Sequence, residues 1–220
     1  MTYVLIPGAG GAAWYWHRVV PLLGDAIAVD LPSADEKAGL QEYADVVAAA
    51  AGAADDVVLV AQSMGGFTAP LLADRLPVSR IVLVNAMIPA PGETAGEWWE
   101  NTGQSEARHA NDAREGRDPD APFDPLVAFF HDVPPELTAI GMADDEQQAA
   151  KPFEEPWPLA VWPDVPTTVI SSRDDRVFPI DFQIRVAEER LGITPVQLPG
   201  GHLVSLSHPE ELVKLVVGAS

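Results

Sequence analysis

The sequence predicts one α/β domain, built on a mostly parallel, doubly wound sheet of about six strands, with a small helical cap inserted into it. Short apolar runs rich in β-branched residues alternate with segments of helical periodicity, as in a parallel sheet covered by helices on both faces. One long segment, residues 87–164, interrupts this alternation. We therefore expect residues 1–86 and 165–220 to form the sheet domain and residues 87–164 to form the cap.

Composition fits a single globular domain and argues against several functional classes. The 220 residues suffice for one sizeable core but not for two ordinary domains. A formal net charge of −20 argues against nucleic-acid and anionic-membrane partners, since both would repel the chain. The chain has no cysteine, and no apolar run reaches the roughly 18–20 residues of a membrane span. The N-terminus enters a strand without the features of a signal peptide, so we expect a cytoplasmic protein. We also expect a monomer or a homodimer.

The predicted elements follow a regular order on both sides of the cap. Before the cap, buried strands are predicted over residues 3–6, 26–31, 57–61 and 80–84. Helices with one apolar face are predicted over residues 16–23, over residues 40–51 and from Gly65. After the cap, strands are predicted over residues 167–171 and 196–198, and helices over residues 182–191 and from Pro209. This alternation indicates strands joined by crossover helices.

The loop after the first strand is rich in glycine, which raises the question of a dinucleotide cofactor. Gly8, Gly10 and Gly11 do not form the G-x-G-x-x-G pattern, and the next strand offers only Asp30 for a ribose contact. No cluster of histidine, aspartate and glutamate has the spacing of metal ligands. We therefore predict neither a cofactor nor a metal.

Ser63 lies between the buried strand at residues 57–61 and the predicted helix from Gly65. The surrounding A-Q-S-M-G stretch is close to G-x-S-x-G, with Ala61 at the first small position. A serine on such a turn has its hydroxyl exposed beside the unpaired N–H groups of the helix, as an acyl-transfer nucleophile requires. The alternative interpretation is a serine that only caps the helix.

Two loops after late strands carry the remaining candidates for catalysis. One contains Asp174 and Asp175, and the other contains His202. Because the carboxyl ends of parallel strands lie at one edge of a sheet, we expect these side chains to meet Ser63 there. An imidazole can accept the proton of a serine hydroxyl, and a buried carboxylate can orient the imidazole.

The developing oxyanion of such a reaction needs hydrogen-bond donors. We expect the backbone N–H groups of Ala9, in the glycine-rich loop, and of Met64, beside the serine, to supply them.

Five stretches together resemble a known family: V-L-I-P-G-A-G-G-A-A-W-Y-W, A-Q-S-M-G-G, L-V-N-A-M-I-P, D-R-V-F-P and G-G-H-L. They resemble the α/β-hydrolases, and in particular the group of plant methyl-ester esterases and hydroxynitrile lyases. The resemblance implies a small version of the α/β-hydrolase fold, with Ser63 as nucleophile and His202 as base. It also implies Asp175 as the acid, because family members carry the acid four residues before the proline at Pro179. Asp174 is the competing acid.

The same resemblance bears on the reaction. Lyases of this group carry a lysine after the catalytic histidine, where this chain has Leu203, and a threonine where it has Gly8. The resemblance therefore implies hydrolysis of a small to medium carboxylic ester. Two alternatives stay open: a C–C bond hydrolase or lyase that uses the same three residues, and a low-turnover ligand-binding protein.

Overall fold

The computed structural model describes residues 1–143 and 147–218. The six strands in these residues are β1 (Thr2–Ile6), β2 (Ala26–Ala28), β3 (Val57–Gln62), β4 (Val78–Val84), β5 (Thr167–Ser172) and β6 (Val196–Leu198). They form one sheet in the order β2-β1-β3-β4-β5-β6, and every neighbouring pair is parallel. The predicted parallel sheet of about six strands is confirmed.

Helices occupy a large part of the remaining described chain. The α-helices before β5 are α1 (Val20–Leu23), α2 (Leu40–Ala51), α3 (Gly65–Thr68), α4 (Ala95–Asn101), α5 (Gln104–Arg114), α6 (Pro125–Ala128), α7 (Pro135–Ala143) and α8 (Lys151–Glu154). After β5 come α9 (Ile180–Leu191), α10 (Val204–Ser207) and α11 (Pro209–Gly218). Within the part of the chain that the structure describes, no helix has both the length and the apolar character needed to cross a bilayer.

The sheet is buried on both faces because its central strands are apolar at successive positions. In β3, Val57, Leu59 and Ala61 belong to the core that also contains residues of α2 and α9. Val58 and Val60 point to the opposite face and join the core that contains residues of α11. This two-sided burial explains the unbroken apolar run at residues 57–61 and agrees with a doubly wound sheet.

Two predicted helices differ in detail from those observed. The helix predicted over residues 16–23 is divided into a 3₁₀ turn, Ala13–Trp16, and the short helix α1. The helix after Ser63 changes from α3 to a 3₁₀ turn at Ala69–Leu72, with Pro70 in the first turn. Proline lacks the N–H that a continuous α-helix would need at this position, so the change of helix type has a local cause.

The segment between β4 and β5 carries α4 to α8 and is joined to the sheet domain by large buried side chains. Trp98 and Trp157 belong to the same core as β3. Their indole N–H groups donate to the carbonyls of Ile88, at 3.0 Å, and Phe67, at 3.2 Å. The insertion therefore shares a core with the sheet domain, and its bounds as a separate cap, residues 87–164, stay a prediction.

Candidate active site

Ser63 lies in a strained turn between β3 and α3. Its φ of +50° is in the left-handed region, which among the described non-glycine residues only Asn85 also occupies. The Ser63 carbonyl accepts hydrogen bonds from the N–H groups of Gly66, at 3.1 Å, and Met87, at 2.9 Å. These contacts hold the backbone in a conformation that would otherwise be unfavourable.

The small residues around Ser63 are required by close packing. A Cβ placed on Gly8 would lie 2.8 Å from the Cβ of Ser63, and one on Gly65 would lie 2.8 Å from the carbonyl oxygen of Pro7. A Cβ on Gly66 would overlap the carbonyl oxygen of Met87. The loop after β1 therefore lies directly against the turn after β3.

His202 lies in the loop after β6, and its ring is fixed on several sides. The Nδ1 atom lies 2.8 Å from Oδ2 of Asp175, and only 2% of each residue is exposed. The rings of Phe129 and Phe178 approach the imidazole edge to face, with centroids 5.3 and 5.0 Å away. Because an ionised carboxylate only accepts hydrogen bonds, the neutral imidazole carries its proton on Nδ1 and keeps a lone pair on Nε2.

The carboxylate of Asp175 is itself held by hydrogen bonds. Its Oδ1 atom accepts from the N–H groups of Val177 and Phe178, both at 2.8 Å. Its Oδ2 atom also accepts from Nε2 of Gln183, at 3.3 Å. The neighbouring Asp174 contacts the backbone N–H of Gly200, at 3.0 Å. Thus Asp175 contacts the imidazole, whereas Asp174 contacts the loop that carries it.

A cavity of about 180 Å³ lies beside Ser63 and His202. Ser63 and His202 both line it, and so do Ala9 and Met64, the two predicted oxyanion donors. The remaining lining residues are Gly8, Tyr15, Gln62, Met87, Trp99, Phe129, Phe130, Phe153, Val177, Phe178 and Leu203. The wall is therefore mainly apolar and aromatic, and none of these lining residues is aspartate, glutamate, lysine or arginine.

Residues 3–215 match the sequence profile described as the alpha/beta hydrolase family. This chain belongs to the alpha/beta hydrolase family.

Comparison with known proteins relates this alpha/beta hydrolase to plant esterases. It is 37% identical to the probable esterase PIR7A of Oryza sativa subsp. indica over 43% of this chain and 42% of that protein. It is 33% identical to methylesterase 9 of Arabidopsis thaliana over 40% of each chain. The matches therefore span about two fifths of the length of these plant relatives.

Solved structures extend the likeness to the whole fold. A pyrethroid hydrolase from Sphingobium faniae JZ-2 aligns with a TM-score of 0.77 and 26% identity, covering 99% of this chain and 96% of that one. Polyneuridine aldehyde esterase aligns with a TM-score of 0.78 and 21% identity, covering 99% and 98%. The predicted α/β-hydrolase fold is confirmed.

The segment between β4 and β5 contributes aromatic side chains to the cavity. Trp99, Phe129, Phe130 and Phe153, from the segment between β4 and β5, line the cavity. His131, from the same segment, lies instead behind the His202 loop, where a Cβ on Gly201 would be 2.5 Å from its Nε2 atom.

Burial lowers the pKa of His131 below its ordinary value of 6.5, and the charge of Arg176 acts in the same direction. Together they outweigh the charges of Asp132 and Asp175, which raise this pKa. A neutral His131 is therefore favoured behind the loop.

Sequence reasoning missed three side chains that hold the His202 loop by its backbone. Gln62 donates to the carbonyl of His202 at 2.8 Å, and Asn85 donates to the same carbonyl at 3.1 Å. Asp132 accepts from the N–H of Gly201 at 2.7 Å. Asn85 did carry one signal, because it is a polar residue directly after a buried strand, at the same sheet edge as Ser63.

No metal centre accompanies this arrangement in residues 1–143 and 147–218, where no group of three or more histidine, aspartate or glutamate side chains could hold an ion. The chemistry that these residues can perform themselves is proton transfer and nucleophilic attack. Nε2 of His202 is the nitrogen left to accept a proton in the cavity that Ser63 also lines.

Proposed function

We propose that this alpha/beta hydrolase cleaves small to medium carboxylic esters through an acyl-enzyme on Ser63. The observation that carries the proposal is the 2.8 Å contact between Asp175 and Nδ1 of His202, beside a cavity that Ser63 also lines. The likeness to plant esterases, and to a pyrethroid hydrolase at 26% identity over the whole chain, supports it.

In the proposed first half-reaction, Ser63 attacks the ester carbonyl while Nε2 of His202 takes the hydroxyl proton. The imidazolium so formed is stabilised by the carboxylate of Asp175. The negative oxygen of the tetrahedral intermediate accepts hydrogen bonds from the N–H groups of Ala9 and Met64. Collapse of the intermediate releases the alcohol, which receives its proton from His202.

In the second half-reaction, water replaces the alcohol. His202 removes a proton from this water as it attacks the acyl-enzyme, and the proton then returns to Ser63 as the carboxylic acid leaves. The serine and the neutral imidazole are both regenerated, so the cycle consumes only ester and water. No cofactor is needed for any step.

The cavity wall supports a preference for uncharged, largely apolar esters. Its aromatic side chains offer favourable contact to an apolar acyl or alcohol group. A charged substrate group would lose its hydration there without gaining a partner of opposite charge.

The test compares wild type with Ser63→Ala on p-nitrophenyl acetate and butyrate. We expect turnover to fall by about 10⁴-fold or more, because no other side chain supplies the nucleophile. Ser79→Ala is the matched control, because it removes the hydroxyl of a serine that does not line the cavity. Ser79 lies on β4 and donates to the carbonyl of Val57 at 3.3 Å. Undiminished turnover by a folded Ser63→Ala variant would contradict the mechanism.

Labelling with a fluorophosphonate tests the low-turnover alternative. We expect stoichiometric modification of Ser63 in the wild type, detected by peptide mass spectrometry, and none in Ser63→Ala. A folded wild type that binds esters but is not labelled would indicate a ligand-binding protein instead. Turnover of a diketone together with inertness toward esters would indicate C–C bond cleavage.

A further inference from the structure

Asn85 is a fully buried amide directly after β4, and it holds the loop that carries His202. Its Nδ2 atom lies 3.2 Å from the carbonyl oxygen of Gly201 and 3.1 Å from that of His202. The same nitrogen lies 2.9 Å from Oγ of Ser172, and Oδ1 accepts from the N–H of Ser172 at 2.8 Å. The side chain therefore connects the end of β5 with the backbone of the histidine loop.

The position of Asn85 is fixed from its own backbone as well. Its N–H donates to the carbonyl of Ile170 at 3.0 Å, which continues the pairing between β4 and β5. The preceding residue, Val84, accepts a hydrogen bond from the N–H of Ser63 at 3.3 Å. One short stretch at the end of β4 thus contacts both the turn of Ser63 and the loop of His202.

The backbone conformation at Asn85 also points to a role in the site. Its φ of +45° is in the left-handed region, where asparagine is tolerated better than most residues. Among the non-glycine residues that the structure describes, Ser63 alone shares this property. Strained backbone of this kind persists where surrounding contacts determine it, and it is concentrated at functional sites.

The side-chain contacts of Asn85 go to the backbone of the His202 loop and to Ser172 at the end of β5. Asn85 is 0% exposed and lies outside the lining of the cavity. Gln62 also donates to the His202 carbonyl, but it lines the cavity, so its substitution would alter substrate contacts too. Asn85 therefore allows the placement of the loop to be changed separately from the substrate surface.

We propose that Asn85 is a positioning residue, which sets where the imidazole of His202 lies relative to Ser63. The inference rests on the proposed function, in which His202 removes the proton of Ser63. Without the amide donor, two buried carbonyls lose a partner and the loop is free to shift. Misplacement of a catalytic group by about 1 Å can lower a rate by about 100-fold.

The experiment uses Asn85→Gly and Asn85→Asp in the full chain. Asn85→Gly removes the donor and relieves the left-handed backbone. Asn85→Asp keeps the size of the side chain and the acceptor for the Ser172 N–H, but it replaces the donor group by an oxygen. The control is Ser79→Ala, which removes a side-chain donor at the opposite end of the same strand.

Two rates are measured: fluorophosphonate labelling of Ser63, and steady-state hydrolysis of p-nitrophenyl butyrate. We expect both Asn85 variants to lower the labelling rate and kcat by about 10- to 100-fold, while KM stays within about twofold of wild type. Ser79→Ala should stay within about twofold in both rates. Thermal melting checks that the variants fold, and Asn85→Ser, which retains one donor, is measured should the first two fail to fold.

The outcomes separate this inference from the proposed function. A wild type that is not labelled at Ser63 overturns the proposed function, and the role of Asn85 falls with it. A labelled wild type with folded Asn85 variants that react equally fast overturns the role of Asn85 alone. The proposal is also overturned if the Asn85 variants lose activity through a higher KM and not a lower kcat. It is overturned as well if activity falls in proportion to the melting temperature across all the variants, because Asn85 would then have only a structural role.

Discussion

Asp174 and Asp175, adjacent in the sequence, contact different parts of the loop after β6. Asp175 contacts Nδ1 of His202 at 2.8 Å, whereas Asp174 accepts from the backbone N–H of Gly200 at 3.0 Å. The two carboxylates therefore hold the imidazole and its supporting backbone separately. Their substitution by asparagine should have unequal effects.

Asp175→Asn should lower kcat for p-nitrophenyl butyrate by about 10⁴-fold, because an amide no longer fixes the productive tautomer of His202. Asp174→Asn should lower kcat by less than about tenfold, since the amide oxygen can still accept a hydrogen bond from the N–H of Gly200. Steady-state kinetics of the two variants, with melting curves as a folding check, measure the difference. Equal losses, or a larger loss for Asp174→Asn, would contradict the assignment of Asp175.

Gly66→Ala should destabilise the fold by about 1–3 kcal/mol, because the new methyl group would overlap the carbonyl oxygen of Met87. The Met87 backbone is held by the hydrogen bond from its N–H to the Ser63 carbonyl, at 2.9 Å, so it cannot move aside as a flexible side chain can. Gly218→Ala is the control, since a Cβ there meets nothing within 4 Å. Urea unfolding of both variants measures the free energies, and equal stability of the two would show that the turn tolerates a larger residue.

An ester that carries a carboxylate should be a poor substrate for this cavity. We expect kcat/KM for mono-p-nitrophenyl succinate to be about 100-fold lower than for p-nitrophenyl butyrate, which has the same chain length. The difference should persist at high salt, because screening removes only the long-range repulsion by the net charge of −20. Comparable values for the two esters would show that the wall tolerates charge.

Glu93, which is buried, joins the segment between β4 and β5 to α9 through an ion pair with the partly buried Arg190. Burial raises the pKa of Glu93, but hydrogen bonds from Arg190, Asn101 and the N–H of Ala90, with the charge of Arg190, outweigh it. The pKa of this carboxyl therefore lies below its ordinary value of 4.5. Ionised Glu93 contributes stability above that value, and the contribution is lost as the pH falls through the lowered pKa.

Glu93→Gln should accordingly lower the free energy of unfolding at pH 7 by about 3 kcal/mol, because it leaves Arg190 without its ionic partner. The difference between the variant and wild type in the free energy of unfolding should become smaller as the pH falls below 4.5. Urea unfolding over a range of pH measures both effects. A difference that does not change with pH would show that the charge of Glu93 is not what stabilises this contact.

Much of the site follows from local patterns in the chain. Three features of the chain are typical of a parallel sheet with its strand ends at one edge. They are the apolar run at residues 57–61, the small residues around Ser63, and the chain order of serine, aspartate and histidine. Periodicity alone did not predict the break in the first helix or the short helix α10. Local helix length depends on packing and on proline, as at Ala69–Leu72.

The sequence by itself determined the parallel sheet and the strand-end positions of Ser63 and His202, and it limited the acid to one of two adjacent carboxylates. Only the tertiary structure decided that Asp175 contacts the imidazole, and that Asn85 holds the loop that carries it. The physical reason is that periodicity specifies which face or edge a residue occupies. The direction of a side chain in a loop is set instead by hydrogen bonds to segments far away in the chain.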